Sequence, residues 1–352
     1  NVDGREIDMG MSPDLIWVKT RNQTNWNWLT DTVRGAPNKL YSNSENAEDT
    51  SPIYGQADSF TYKGWIAGGG TDGSNPLSDS NQTGTNYICW AWKAGGSKNT
   101  FNVDDVGYAT AAAAGLDSGS IAVTGASVGT KQGFSIIAFT GTGSGGTISH
   151  GLSEAPVFSI IKNRDASASW PVWTTIVDGS YDQMYLELVD KKGDLSQDAP
   201  TSTVFTNTGS SGNGASGQKY ISYHWHNVPG LQKFGSYESG GSQYDGPYIE
   251  LGFKPAMVMV KAATRSFGSN WSIISAETNP SNTSASGSNT KILYWSTNGA
   301  EFTSGGAQCD LLSNGFKVRN NSSDINDGGT YIYAAWAEAP SIDLFGGGAN
   351  AR

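Results

Sequence analysis

Apolar and polar positions alternate along "KYISYHW" at 219–225. Ile221, Tyr223 and Trp225 fall on one side and Tyr220, Ser222 and His224 on the other, the two-residue period of a strand. The same phrase closes two other stretches, "NYICWAWKAG" at 86–95 and "TYIYAAWAEAP" at 330–340. In all three an isoleucine (Ile88, Ile221, Ile332) precedes a tryptophan (Trp92, Trp225, Trp336) by four residues. A second phrase recurs ahead of each: "SPDLIWVKTR" at 12–21, "EAPVFSIIKNR" at 154–164 and "FKPAMVMVKAATR" at 253–265. Its apolar run is bounded by a proline and, six residues on, a lysine: Pro13 and Lys19, Pro156 and Lys162, Pro255 and Lys261. Short apolar runs between turn residues predict strands buried on both faces. A tryptophan-bearing stretch follows each: "NWNWLTD" at 25–31, "SWPVWTTI" at 169–176 and "NWSIISA" at 270–276.

Recurrence in fixed order predicts repeats. The fold class read from the pattern is all-β, with three tandem β-sandwich-like repeats of roughly 100 residues. Repeat 1 covers 1–95, an insert 96–131, repeat 2 132–230, repeat 3 231–340 and a Gly-rich tail 341–352. Repeat 2 reads as seven strands, 133–140, 146–151, 157–163, 170–177, 184–189, 203–207 and 219–226. Repeats 2 and 3 each open with a stretch, "GFSIIAFTG" and "KFGSYESGG", that repeat 1 lacks. Repeat 1 is therefore expected to borrow a strand from the insert, from an upstream segment or from a neighbouring chain, because an open strand edge invites pairing. "SNGF" at 313–316 predicts a hairpin turned by Asn-Gly. "AAAAG" at 111–115 is the one helical hint, too short to stand alone.

Composition agrees with this class. Glycine supplies 46 of 352 residues, and Asp, Glu, Lys and Arg together only 15%, leaving many turn residues and few helix formers. The net charge of −10, without a basic cluster, argues against nucleic-acid binding. No apolar stretch reaches the roughly 18 residues of a membrane span, and no signal-peptide pattern opens the sequence. Cys89 and Cys309 read as reduced, buried thiols.

The phrases "SPDLIWVKTR", "DTVRG" (31–35), "NSENAEDT" (43–50), "KNTFNVDDVGYATAAAAGL" (98–116), "LLSNGFKVR" (311–319), "GGTYIYAAWAEAP" (328–340) and the terminal "NAR" resemble a repeat of tail-fibre-like proteins of marine bacteriophages. The resemblance spans nearly the whole chain. It implies a virion structural protein of an external tail appendage that attaches to host-surface glycan, works beside other virion proteins and assembles as a homotrimer. A homo-oligomer is also expected from the sequence, since three small separate cores would gain from neighbours that cover their ends and edges. The alternatives are a tail-borne glycan depolymerase and a secreted bacterial adhesin.

The chemistry-bearing residues form no catalytic set, and no enzyme, cofactor or metal is expected. The recurring Lys19, Lys162 and Lys261 are read as strand ends whose ammonium groups reach solvent or an acidic neighbour. His224 and His226 form an H-x-H on one strand face without a third ligand in sequence. "DINDGG" at 324–329 lacks the acidic residues a calcium loop requires, and "GTGSGG" at 141–146 opens no helix. Binding is expected where the repeats differ, in the loops 64–84, 236–247 and 277–290. Trp65, Tyr237 and Tyr244 are the candidate ligand-binding rings, set among small polar residues as sugar recognition requires.

Overall fold

The computed structural model describes residues 3–242, 245–265, 268–282, 290–303 and 308–338. It is all-β, with no helix among the described residues. The first unit carries β1 (Arg5–Asp8), β2 (Leu15–Thr20), β3 (Trp28–Asp31), β4 (Leu40–Tyr41), β5 (Gln56–Phe60), β6 (Gly64–Gly68) and β7 (Tyr87–Trp92). The insert carries β8 (Phe101–Val103), β9 (Val106–Tyr108) and β10 (Val123–Gly129). The second unit carries β11 (Phe134–Thr140), β12 (Gly146–Ser149), β13 (Phe158–Asn163), β14 (Pro171–Thr174), β15 (Asp182–Tyr185), β16 (Gly193–Asp194), β17 (Val204–Asn207) and β18 (Lys219–Trp225). The third carries β19 (Gln232–Glu238), β20 (Tyr248–Glu250), β21 (Pro255–Ala262), β22 (Ser272–Ser275), β23 (Lys291–Tyr294), β24 (Phe302–Thr303), β25 (Cys309–Leu312), β26 (Gly315–Val318) and β27 (Thr330–Ala337).

Each unit contributes one large sheet. Their orders are β4-β3-β2-β7, β16-β15-β14-β13-β18-β11-β10-β8-β9 and β19-β27-β21-β22-β23-β24. In each, the lysine-bearing strand pairs antiparallel with the closing strand in one register. Lys19 faces Ile88, Lys162 faces Ile221 and Lys261 faces Ile332. Leu15, Phe158 and Met257 face Trp92, Trp225 and Trp336. Smaller sheets, β1-β6-β5, β12-β17 and β20-β26-β25, cover the outer faces.

The apolar runs are buried on both sides, as their continuity predicts. Ile16 and Val18 turn outward to Trp28 and Trp65, whereas Leu15 and Trp17 turn inward. Phe158 and Ile160 from the second unit and Met257 and Met259 from the third turn inward too, into the same core. At that shared core the three closing tryptophans meet edge to face. Ring centroids lie 6.3 Å apart for Trp92–Trp225, 5.5 Å for Trp92–Trp336 and 6.4 Å for Trp225–Trp336. The expectation of three separate small cores is thus corrected. Inward faces of all three large sheets share one core, and the argument for oligomerisation from small cores loses its premise.

Of the three sources expected for the strand that repeat 1 lacks, the insert is not the one used. β10 pairs with β11 and β8 with β10, so it extends the second sheet and leaves β7 untouched. Its Phe101, Leu116, Ile121 and Val128 fill the outer core of the second unit. Between β8 and β9 the chain turns on Asp104 and Asp105, with φ of 48° and 64°, a left-handed pair that aspartate tolerates. The hairpin at 313–316 turns on Ser313 and Asn314. Gly315 already belongs to β26, where a Cβ would lie 2.1 Å from the Ile249 carbonyl oxygen, too close for any side chain. That glycine serves close approach, not the turn.

Candidate functional site

The seams between units are built from one position repeated three times. Asn27, Trp170 and Trp271 each stand one residue before β3, β14 and β22. Each donates to a backbone carbonyl of another unit: Trp170 Nε1 to Ser44 at 2.9 Å, Trp271 Nε1 to Tyr185 at 2.9 Å, and Asn27 Nδ2 to Trp295 at 3.1 Å. The second unit thus holds the first, the third holds the second and the first holds the third. A buried ionic group reinforces the seam of the first two units. Tyr223 Oη donates to Asp31, Asp31 pairs with Arg34, and Glu48 bridges Arg34 and Arg164.

The recurring lysines lie at these seams. Lys19, Lys162 and Lys261 are 1%, 0% and 0% exposed, which corrects the expectation that they reach solvent. Lys162 and Lys261 lie over the Trp170 and Trp271 rings, at 5.4 and 5.8 Å, and Lys19 Nζ donates to Asn27 Oδ1 at 2.7 Å. Their hydrogen-bond acceptors are carbonyl oxygens, including Thr297 for Lys19 and Glu45 for Lys162. Burial pushes Lys19 down to about 7, and Lys162 and Lys261 down to about 8.

Just before the seam residue stand Trp26, Ser169 and Asn270. Only the first is aromatic, and there a recess of about 510 Å³ opens, reaching from the first unit to Asn298 of the third. Trp26 is 41% exposed and Tyr54 46% exposed on its walls. Trp26 sits edge-on against Tyr41, with centroids 4.8 Å apart. Below them Tyr41 Oη donates to Asp49 at 2.8 Å, and Lys39 Nζ donates to Asp79 at 2.8 Å and to the Gly55 carbonyl at 2.7 Å. Burial, and then the bond to Asp49, raises the Tyr41 phenol. Burial also raises the Asp79 carboxyl, against the pull of Lys39. The loop carrying Tyr54 is fixed at Gly55, whose φ of 110° lets the chain close against Ser80. Asp79 N then donates to the Tyr54 carbonyl at 2.7 Å. Two partly exposed rings beside carboxylates and the Asn25 and Asn46 residues suit stacking on a sugar ring and hydrogen bonding to its hydroxyls.

The rings expected from the sequence lie elsewhere. Trp65 is 2% exposed and packs edge-on against Trp28 at 5.6 Å, because the stretch read as a loop begins with β6. Tyr237 is buried on β19, stacked on Tyr331, with its Oη donating to the Ile325 carbonyl at 2.6 Å. Both close outer cores and offer no face to a ligand, a correction of the binding role expected for them. Tyr244 lies outside the described residues. The signal for Tyr54 was present, an aromatic between Pro52 and Gly55 in a turn-rich loop. Trp26 was masked by Trp28 two residues on, since two tryptophans at strand spacing read as one buried face.

The H-x-H nitrogens are engaged by protein atoms. His224 Nδ1 lies 2.8 Å from Ser159 Oγ and its Nε2 2.8 Å from Ser222 Oγ; His226 Nδ1 lies 2.8 Å from the Asn227 carbonyl oxygen. Burial lowers His224 well below the usual imidazole range. In "DINDGG", Asp324 accepts from Asn270 N and Tyr294 Oη, and Asp327 pairs with Arg265. Cys89 and Cys309 are free thiols, both raised by burial.

No curated protein and no solved structure matches the chain. Over residues 1–340 it matches a family described as a domain of unknown function (DUF7483), and the chain belongs to that family.

Proposed function

We propose that this is a structural, adhesive protein of an external virion appendage, and that it attaches to host-surface glycan through the recess between Trp26 and Tyr54. The observation that carries the binding role is the pair of exposed rings over Asp49 and Asp79, at the one seam where an aromatic replaces Ser169 and Asn270. Placement on a phage tail fibre, beside other virion proteins and as a homotrimer, rests on the resemblance of the recurring phrases. Titration of the chain with host envelope polysaccharide, followed by calorimetry, tests the binding role. Trp26→Ala and Tyr54→Ala should each weaken binding by at least tenfold while leaving the unfolding midpoint in place. Absence of binding, or binding indifferent to both substitutions, overturns it. Light scattering tests the assembly: a species of three times 37.1 kDa is expected.

A second reading, a glycan depolymerase, is favoured by two carboxylates sharing the recess, one of them raised. Appearance of new reducing ends that Asp79→Asn abolishes would replace the first reading with this one.

A further inference from the structure

The closing strand is flanked on both sides in two units and on one side in the first. β18 lies between β13 and β11, and β27 between β21 and β19. Among the described residues β7 pairs only with β2. Asn86 and Trp92 give their carbonyls to Arg21 and Asp14, on the β2 side. By strand alternation Tyr87, Cys89 and Ala91 aim their backbone groups at the open edge. On β18 the matching side is satisfied: His226 N donates to the Gly133 carbonyl, leading into β11. Beside the open edge runs an apolar groove of about 510 Å³ along the seam of the first and third units, with Cys89, Trp90 and Trp92 on one wall and Met257, Trp336 and Ala337 on the other.

The strand that fills this place in the third unit is handed over from the second. The chain leaves β18 at Trp225, and seven residues later Gln232 starts β19, which pairs with β27 of the next sheet. The sequence repeats that hand-over after Trp336. "VPGLQKFG" at 228–235 is matched by "APSIDLFG" at 339–346. Proline stands four residues after the closing tryptophan (Pro229, Pro340), a branched aliphatic six after (Leu231, Ile342), phenylalanine nine after (Phe234, Phe345) and glycine ten after (Gly235, Gly346).

We propose that the segment 340–349 of this same chain is the missing first strand of the first unit, added antiparallel to β7, so that the three units close into a ring. The occupant is argued from three observations. The chain leaves β27 at the groove itself, since Ala337 lines it. The connection from Trp336 has the length and punctuation of the one from Trp225. The receiving wall is equivalent: Phe234 stacks on Phe158 at 5.6 Å, and Met257, which holds the register place of Phe158, lines the groove. Transferring the β19–β27 register, Gln232 opposite Trp336 and Phe234 opposite Ala334, places Asp343 opposite Trp92 and Phe345 opposite Trp90. Main-chain hydrogen bonds would supply the attachment and the Phe345 ring the specificity, as in strand addition to a sheet edge.

Amide hydrogen exchange on the intact chain tests this without any variant. The Cys89 and Ala91 amides should exchange at least 100-fold more slowly than in a chain ending at Glu338. Phe345→Asp in the full chain should release the same amides, with the Ser222 and His224 amides of β18 as the control that the fold persists. Adding the peptide 339–352 to the shortened chain should restore protection. Fast exchange of Cys89 and Ala91 in the intact chain overturns the proposal whatever the variants do. Protection that grows with protein concentration also overturns it, because the strand then comes from a second copy.

Discussion

Lys162 and Lys261 each lie over an indole from their own sheet, while Lys19, at the same register place, faces the amide of Asn27. The indole missing from the first sheet is supplied from the third: Trp295 stacks on Trp17 with centroids 3.8 Å apart and stands edge-on to Trp90. Asn27 binds the carbonyls of Tyr294, Trp295 and Thr297, so the small amide both makes room for the incoming ring and anchors the strand that carries it. One backbone register is thus compatible with two fillings of the seam, provided the aromatic volume is conserved.

The largest expected effect comes from Trp295→Ala. Loss of a fully buried ring from the shared core should cost about 3–5 kcal/mol, read as a lower urea midpoint at unchanged m. Asn27→Trp should cost about 1–3 kcal/mol, because the place of the new ring is taken. The double variant sharpens the comparison. If Trp295 occupies the space that Trp170 and Trp271 fill in the other sheets, the combined loss falls short of the two single losses added together. Strict additivity would break the equivalence.

A smaller effect should appear with pH. In the folded chain Lys19 loses its proton near 7 and Lys162 and Lys261 near 8, each well below the roughly 10.4 of an unfolded lysine. Between those values the unfolded chain binds protons that the folded chain does not, so stability rises with pH from about 7 to about 10. The penalty is fully present below the folded values and fades as the unfolded lysines deprotonate. Each group contributes at most about 1.4 kcal/mol per pH unit. Lys19→Met should remove the rise between pH 7 and 8, where Lys19 acts alone, and lower the slope by about a third from pH 8 to 10; an unchanged profile in urea titrations would refute the burial argument. Smallest of all, Ser169→Trp, which copies Trp26 into the second seam, should shift stability by no more than about 0.5 kcal/mol. A larger shift would mean that the two seams differ in more than their lining.

The sequence by itself determined the class and the register. Alternation in "KYISYHW" set which residues of β18 face inward, and the unbroken run in "LIWVK" required cover on both faces of β2. The recurring proline, lysine, isoleucine and tryptophan marked places that pair alike in all three large sheets. These features are local, since side-chain direction and strand preference follow from neighbouring residues. Only the tertiary structure decided what covers each face. Lys19 meets Thr297, 278 positions away, and Trp17 meets Trp295, so neither the burial of the lysines nor the common core could be read from spacing. The same holds for the candidate site. Trp65 and Tyr237 differ from Trp26 and Tyr54 by whether a sheet happens to lie over the ring, which depends on long-range packing and on no property of the aromatic residue itself.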